Sequence, residues 1–185
     1  MTELESFRAE KDHFFATHPQ SPLTPEQKRH FTGLSYFPEN PALRLDVAVE
    51  ELPQKAIIQM PTTAGGVQTY TRFGKFKFTV EDQEVELTLY SGPHGHFLPF
   101  VDSLAGTETY GAGRYLEPEP MGDDKFRVDF NLAYSPYCAY NDRWACPLPP
   151  RENRLKVSIR AGEKLFHLAL RQRGGAPTAR AAWLA

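Results

Sequence analysis

Apolar positions follow a helical period at the start of the chain and a period of two from residue 42 onward. Leu4, Phe7, Phe14 and Phe15 fall on one helical face, with Lys11 as a polar exception on that face. Thr2 stands before Glu3 and Glu5, an N-cap followed by acid in the first turn. The spacing predicts a helix from about Thr2 to Thr17, ended by Pro19 and Pro22. Thr24-Pro25-Glu26-Gln27 predicts a short second helix, with Thr as N-cap, Pro at the first helical position and Gln at the capping-box position. Gly33 is expected to close it. Residues 1–31 are thus expected to form a helical clasp on a sheet.

Leu43, Leu45, Val47 and Val49 then alternate with mostly polar residues, which predicts a half-buried strand. Ile57, Ile58 and Met60 suggest another, with Gly65-Gly66 as the hairpin turn before Val67. Tyr70 to Val80 predicts a long strand bent at Gly74, followed by a turn at Glu81 to Glu84 and a strand on Val85, Leu87 and Leu89. Phe97–Val101, Gly113–Leu116, Phe126–Phe130 and Leu155–Ile159 complete the set. Short strands at regular spacing predict a mainly β, β-rich α+β fold: an antiparallel sandwich or partly closed barrel with one or two N-terminal helices. A length of 185 residues fits one globular domain at 1–166, with a basic, mobile tail at 167–185 and a short helix near 179–184.

Composition narrows the class. Hydrophobic residues make up 41% and charged residues 24%, as in ordinary globular chains, and 13 Phe and 8 Tyr favour sheet. A net charge of -2 supplies no field to recruit nucleic acid or an anionic membrane. No apolar run approaches a membrane span, and Met1 to Phe15 has no signal-like apolar core. The expectation is a soluble cytoplasmic protein in which the two cysteines are reduced.

Candidate chemistry concentrates between Arg114 and Lys164. Asp129 and Asn131, two apart in an extended segment, share a face and can hold a ligand hydroxyl, an amine or water; equally, they can stabilise the turn into Tyr134. Arg114 follows Gly111-Ala112-Gly113 and can grip a carboxylate or phosphate, but a register-fixing pair with Asp129 is the preferred expectation. Cys138 and Cys146 admit three chemical roles. As a disulfide they would close a small loop, against the compartment argument. With His94 and His96 they would make a four-ligand zinc set, although the spacing is no recognised one and no cofactor is favoured. As a nucleophile, Cys138 needs His94, His96 or His167 as base. The competing expectation is that both thiols are small buried apolar groups. The Cys146–Pro150 run predicts a stiff segment crossing one end of the sheet, tied down by Asn153, and Ala161-Gly162-Glu163-Lys164 predicts a solvated turn.

Three motifs in this region carry a family resemblance. They are Thr107-Glu108-Thr109-Tyr110-Gly111-Ala112-Gly113-Arg114-Tyr115-Leu116, the stretch from Asp129 to Tyr140, and Cys146 to Leu155 followed by Ile159 to Lys164. With Ser21-Pro22-Leu23, Gly33 to Phe37 and Tyr70 to Gly74, they resemble the bacterial and archaeal domain-of-unknown-function family numbered 1684, in order from about Phe7 to Lys164. The chain departs from that pattern at Ser135, where Asn is expected; Ser can cap the turn but reaches less far. The resemblance implies no activity, substrate or cofactor.

The functional expectation is a domain binding a small polar molecule in a pocket framed by Arg114, Asp129, Asn131, Tyr134, Cys138 and Tyr140. The alternatives are a hydrolase using Asp129 or Cys138, a zinc site, or a structural module.

Overall fold

The computed structural model describes residues 1–167; of the expected tail, all but His167 lies outside the described residues. Helix α1 spans Glu3–Thr17. Thr2 caps it in a full capping box, with the Glu5 backbone N–H donating to Thr2 Oγ1 and the Thr2 N–H donating to the Glu5 carboxylate. Helix α2, Pro25–His30, repeats the device with Thr24 and Gln27. It ends at Phe31, two residues earlier than expected, and Gly33 instead lies against the Asp12 carboxylate at a φ of +117°.

Two antiparallel sheets follow. Strands β1 (Arg44–Ala48), β9 (Lys125–Asp129) and β8 (Glu119–Gly122) form the smaller one in the order β1-β9-β8. The larger runs β2 (Glu50–Glu51), β4 (Val67–Val80), β5 (Gln83–Gly92), β6 (Gly95–Phe100) and β7 (Arg114–Leu116), with β3 (Ile57–Pro61) pairing the first half of β4. Neither sheet closes on itself. The β4–β5 and β8–β9 hairpins each turn on two acidic residues in the left-handed region, Glu81-Asp82 and Asp123-Asp124. That conformation matches the right-handed twist of the flanking strands.

The core lies between the sheets. Val47, Phe126 and Val128 of the small sheet share a cluster with Phe76, Phe78, Leu87, Leu89, Leu98 and Phe100 of the large one. The expected bend at Gly74 is a bulge, with the β4–β5 register shifting between Arg72 and Gly74. A Cβ at Gly74 would sit 2.6 Å from Val49 Cγ1 and 2.8 Å from Glu50 O, so glycine is what lets β2 approach.

Two expectations need correction. Leu155–Ile159 is not a strand. Val157 and Ile159 are buried as the alternation implied, but only scattered backbone bonds form, Leu155 N–H to Val101 O and Ser103 N–H to Val157 O; at Ile159 side chains take over, its N–H donating to Asp102 Oδ2 at 2.8 Å and its carbonyl accepting from Arg114. The N-terminal clasp does not close on a sheet face. Phe15 and Leu23 pack with Tyr140, flanked by Phe14, Phe31, Tyr137 and Ala139, so the helices cover the 137–140 segment.

Candidate functional site

Arg114 starts β7 and is 1% exposed. Its Nη1 donates to the carbonyls of Ala161 (2.5 Å) and Glu163 (3.1 Å), and its Nη2 to Ile159 O (2.8 Å) and Asp102 Oδ2 (3.3 Å). One guanidinium therefore pins alternate carbonyls of the irregular segment 159–163 against β7. Burial pulls its pKa below the ordinary value, opposed by Asp102 and Glu163. The backbone passes tightly here: a Cβ on Gly113, at a φ of +100°, would lie 2.5 Å from Phe100 O.

The expected Arg114–Asp129 pair is absent. Register sets Asp129 opposite Arg44, across the small sheet, and Arg44 Nε lies 3.4 Å from Asp129 Oδ2. Arg114 pairs with Asp102 instead. Asp129 also caps the turn Phe130–Leu132, its Oδ1 accepting from the backbone N–H and the amide of Asn131 at 2.9 and 2.8 Å. Asn131, 3% exposed, then reaches Asn40: its Oδ1 accepts from Asn40 N–H at 2.7 Å and its Nδ2 donates to Asn40 O at 3.0 Å. The Asn131 side chain is thus spent on the two backbone groups of Asn40 and one carboxylate. Asn153, fully buried, plays the tying role expected of it, bonding Thr88 N–H, Thr88 O and Pro99 O at 2.8 Å each.

Glu163 was expected in a solvated turn and is 1% exposed. Its Oε2 accepts from the Ser135 N–H (2.8 Å) and the Tyr140 hydroxyl (2.5 Å), and its Oε1 pairs with Lys11 Nζ from α1. This resolves Lys11 as the polar exception on the apolar helix face: it is the counter-ion of a buried carboxylate. Gly162 makes the approach possible at a φ of +75°, where a Cβ would meet Ala133 O at 2.5 Å. Burial, with the nearby Glu163 charge, pushes the Tyr140 phenol well above its usual range.

Lys11 also opens onto a cleft of about 600 Å³ between α1 and the 134–146 segment. Phe7, Phe14, Tyr134, Tyr137 and Trp144 form most of its walls. Lys11 Nζ lies 4.9 Å over the Tyr134 ring, and the Tyr134 hydroxyl donates to Glu117 Oε1 at 2.6 Å. Tyr137 and Trp144 meet edge-to-face at 5.1 Å. The Trp144 indole N–H is shielded and has no acceptor among the described residues. Phe7 is 43% exposed at the edge of the cleft.

The cysteines sit beside this cleft as free thiols. Cys138 is half-buried on the single turn Tyr137–Ala139, and Cys146 is buried. The Cys138 backbone N–H points at Cys146 Sγ (3.4 Å), and the Tyr110 hydroxyl at Cys138 Sγ (3.6 Å). Hydrogen bonding from Cys146 is the largest influence on Cys138 and, with Tyr110 and Thr63, pulls its thiol down to about 6. The same contact, together with burial, drives Cys146 up. His94 lies in the β5–β6 turn, and His96 packs edge-on against Phe73 and Phe126 at 4.8 and 4.7 Å. Among the described residues no group of three or more His, Cys, Asp or Glu side chains could hold a metal ion, so the His94, His96, Cys138 and Cys146 set does not assemble.

A family model described as a protein of unknown function, DUF1684, matches residues 29–164. The chain belongs to the DUF1684 family. The solved structures it resembles include the solution NMR structure of an uncharacterized protein from Haloarcula marismortui, 36% identical, with a TM-score of 0.69 over 88% of this chain and 92% of that one. No curated protein matches. No helix among the described residues is long and apolar enough to cross a membrane.

Of the residues expected to frame one pocket, the fold brings together Tyr134 and Tyr140 around the Lys11–Glu163 pair, with Arg114 on the backbone of the same Glu163. Asp129 and Asn131 belong to a separate corner, facing Asn40 and Arg44. Sequence reasoning passed over Lys11, Tyr137 and Trp144 as site residues, and at Glu163 it preferred a solvated turn to a catalytic acid. The lysine on an apolar helix face was the one available signal.

Proposed function

We propose that the protein binds a small molecule in the cleft between α1 and the 134–146 segment. The ligand class is a compact, flat apolar body carrying one hydrogen-bond acceptor, such as a carboxylate or carbonyl. The observation that carries this reading is the composition of the cleft: mostly aromatic walls with a single ammonium, Lys11, whose charge is balanced by a buried Glu163, and one exposed carboxylate, Glu10, in the lining. An ammonium has three donors and Glu163 Oε1 takes one, so Lys11 retains capacity for an acceptor in the cleft. The volume, about 600 Å³, falls within the range of small-molecule sites. Balanced charge at the base favours one acceptor group over a polyanion, whose further charges would find no partner.

Thermal shift against a library of aromatic and heteroaromatic acids and amides tests the reading. At least one member is expected to raise the melting temperature of the wild type. Ala145→Trp, which places bulk in the cleft from an exposed position, is expected to keep the ligand-free melting temperature within a few degrees and to lose the shift. No stabilising compound, or a shift that survives both Ala145→Trp and Lys11→Met, removes the proposal.

A further inference from the structure

Cys138 and Cys146 are separated by seven residues and brought side by side, because the intervening loop folds back along the 61–63 segment. Thr63 fixes that return: its N–H donates to Cys146 O at 3.0 Å, and its hydroxyl accepts from the Cys146 N–H at 3.2 Å. Leu148 N–H donates to Pro61 O at 2.8 Å just beyond. The result is a buried thiol within 3.4 Å of the backbone of a more exposed one. A disulfide needs Cα atoms within roughly 7 Å and side chains that face each other. Cys146 Sγ contacts the Cys138 backbone, and the two thiols also hydrogen-bond side chain to side chain, so the sulfurs face each other at short range.

From this placement we propose that Cys138 and Cys146 are a peroxide-reactive dithiol, Cys138 attacking and Cys146 resolving, which closes to an intramolecular disulfide. In the first step the Cys138 thiolate attacks one peroxide oxygen. An S–O bond forms, the O–O bond breaks, and the departing hydroxide takes up a proton to leave as water. Cys138 is then a sulfenic acid. In the second step the Cys146 sulfur attacks the Cys138 sulfur. The S–S bond forms, the S–O bond breaks, and the hydroxyl leaves as water with the Cys146 proton. Two thiols are oxidised by two electrons, and one hydrogen peroxide is reduced to two waters.

The surroundings divide the roles. Cys138 is half-exposed and faces the Tyr110 hydroxyl, a donor that stabilises a thiolate there and can assist the departing oxygen. The Cys138 thiol is lowered and the Cys146 thiol raised, so the exposed sulfur is the one that ionises. Cys146 is more buried than Cys138 and sits next to the sulfur it must attack. Such pairing of a low-pKa accessible thiol with an adjacent resolving thiol favours reversible oxidation over irreversible damage. Cys146 also lines the aromatic cleft, so a disulfide would alter that wall whether or not the cleft takes a ligand.

The full reduced chain is treated with one equivalent of hydrogen peroxide and followed by intact mass and non-reducing peptide mapping. The expected product has lost two hydrogens and carries a Cys138–Cys146 crosslink that dithiothreitol reverses. Cys146→Ser is expected to stop at the Cys138 sulfenic acid, trapped by dimedone. Cys138→Ser is expected to lose both products, and Tyr110→Phe to slow the first step. If Cys146→Ser does not fold, wild type pulsed with peroxide and dimedone together must still yield the Cys138 adduct in place of part of the disulfide. Unmodified thiols, crosslinks between chains, or oxidation at methionine alone overturn the proposal.

Discussion

Replacing Arg114 by methionine removes a guanidinium while keeping an unbranched stem of similar reach. Four hydrogen bonds go with it, to Ala161 O, Glu163 O, Ile159 O and Asp102 Oδ2. Asp102 is then left buried with one backbone donor, Ile159 N–H, and a long contact at 3.4 Å from the Thr109 hydroxyl. Stranding one member of a buried ion pair costs about 3–5 kcal/mol. Each buried carbonyl left without a partner adds about 1–3 kcal/mol, reduced where the 159–163 segment can relax. A net loss of about 5 kcal/mol follows, which for a chain of this length lowers the melting temperature by about 10–20 °C.

Urea unfolding followed by circular dichroism measures the change, with the m-value checked for constancy. Asp102→Asn is the companion: it leaves the guanidinium on three carbonyls and is expected to cost about 2 kcal/mol. The double variant should be less destabilised than the sum of the two, because each single change strands the other partner. A loss below about 1 kcal/mol for Arg114→Met would refute the bracing role. If that variant also lost a ligand-induced shift, Arg114 would be a ligand-binding arginine, as its position after two glycines first suggested.

Two further changes probe the neighbouring braces. Asn131→Ala gives up the amide bridge to Asn40 and is expected to cost about 2 kcal/mol in urea unfolding while leaving any cleft-ligand affinity unchanged; a selective loss of affinity would reinstate Asn131 as a ligand group. Gly162→Ala forces a Cβ to 2.5 Å from Ala133 O at a positive φ, and is expected to cost at least about 2 kcal/mol; a neutral result in calorimetry would show that the 159–163 segment is not held as described.

What sequence revealed was what short-range patterns encode. Both helix starts were legible because capping is local, with Thr2 and Glu5, or Thr24 and Gln27, three residues apart. Most strands were legible because one buried face imposes a period of two. Strand β8 was missed because Glu119–Gly122 is exposed throughout and has no apolar alternation. Leu155–Ile159 was misread for the opposite reason. Its alternation is genuine, but it meets Val101 and Ser103 through two isolated backbone bonds and ends on the side chains of Asp102 and Arg114, which a period cannot report. Arg114 and Asp129 looked like partners because strand order was unknown; β7 and β9 belong to different sheets. Glu163 beside Lys164 looked like solvated charge because its counter-ion, Lys11, lies 152 residues away in the chain.

The long separation of that pair has a consequence for how the cleft is made. Glu163 lies within the stretch matched by the DUF1684 model, residues 29–164, and receives two neutral donors from it, Ser135 N–H and Tyr140 OH. Its ion-pair partner, Lys11, comes from α1, before that stretch begins, whereas Arg114 within the stretch acts on the carboxylate charge from farther away and is already paired with Asp102. Two neutral hydrogen bonds and a distant guanidinium do not replace a direct counter-ion for a buried carboxylate, so the corner built by the family motifs lacks its ion pair until α1 docks. Docking also buries Phe15 on Tyr140, ring to ring at 5.0 Å, and places Phe7, Lys11 and Phe14 opposite Tyr137 and Trp144. The cleft therefore exists only in the docked state. Any ligand it holds binds that state alone, and stabilises the closure of α1 by RT ln(1 + [L]/Kd).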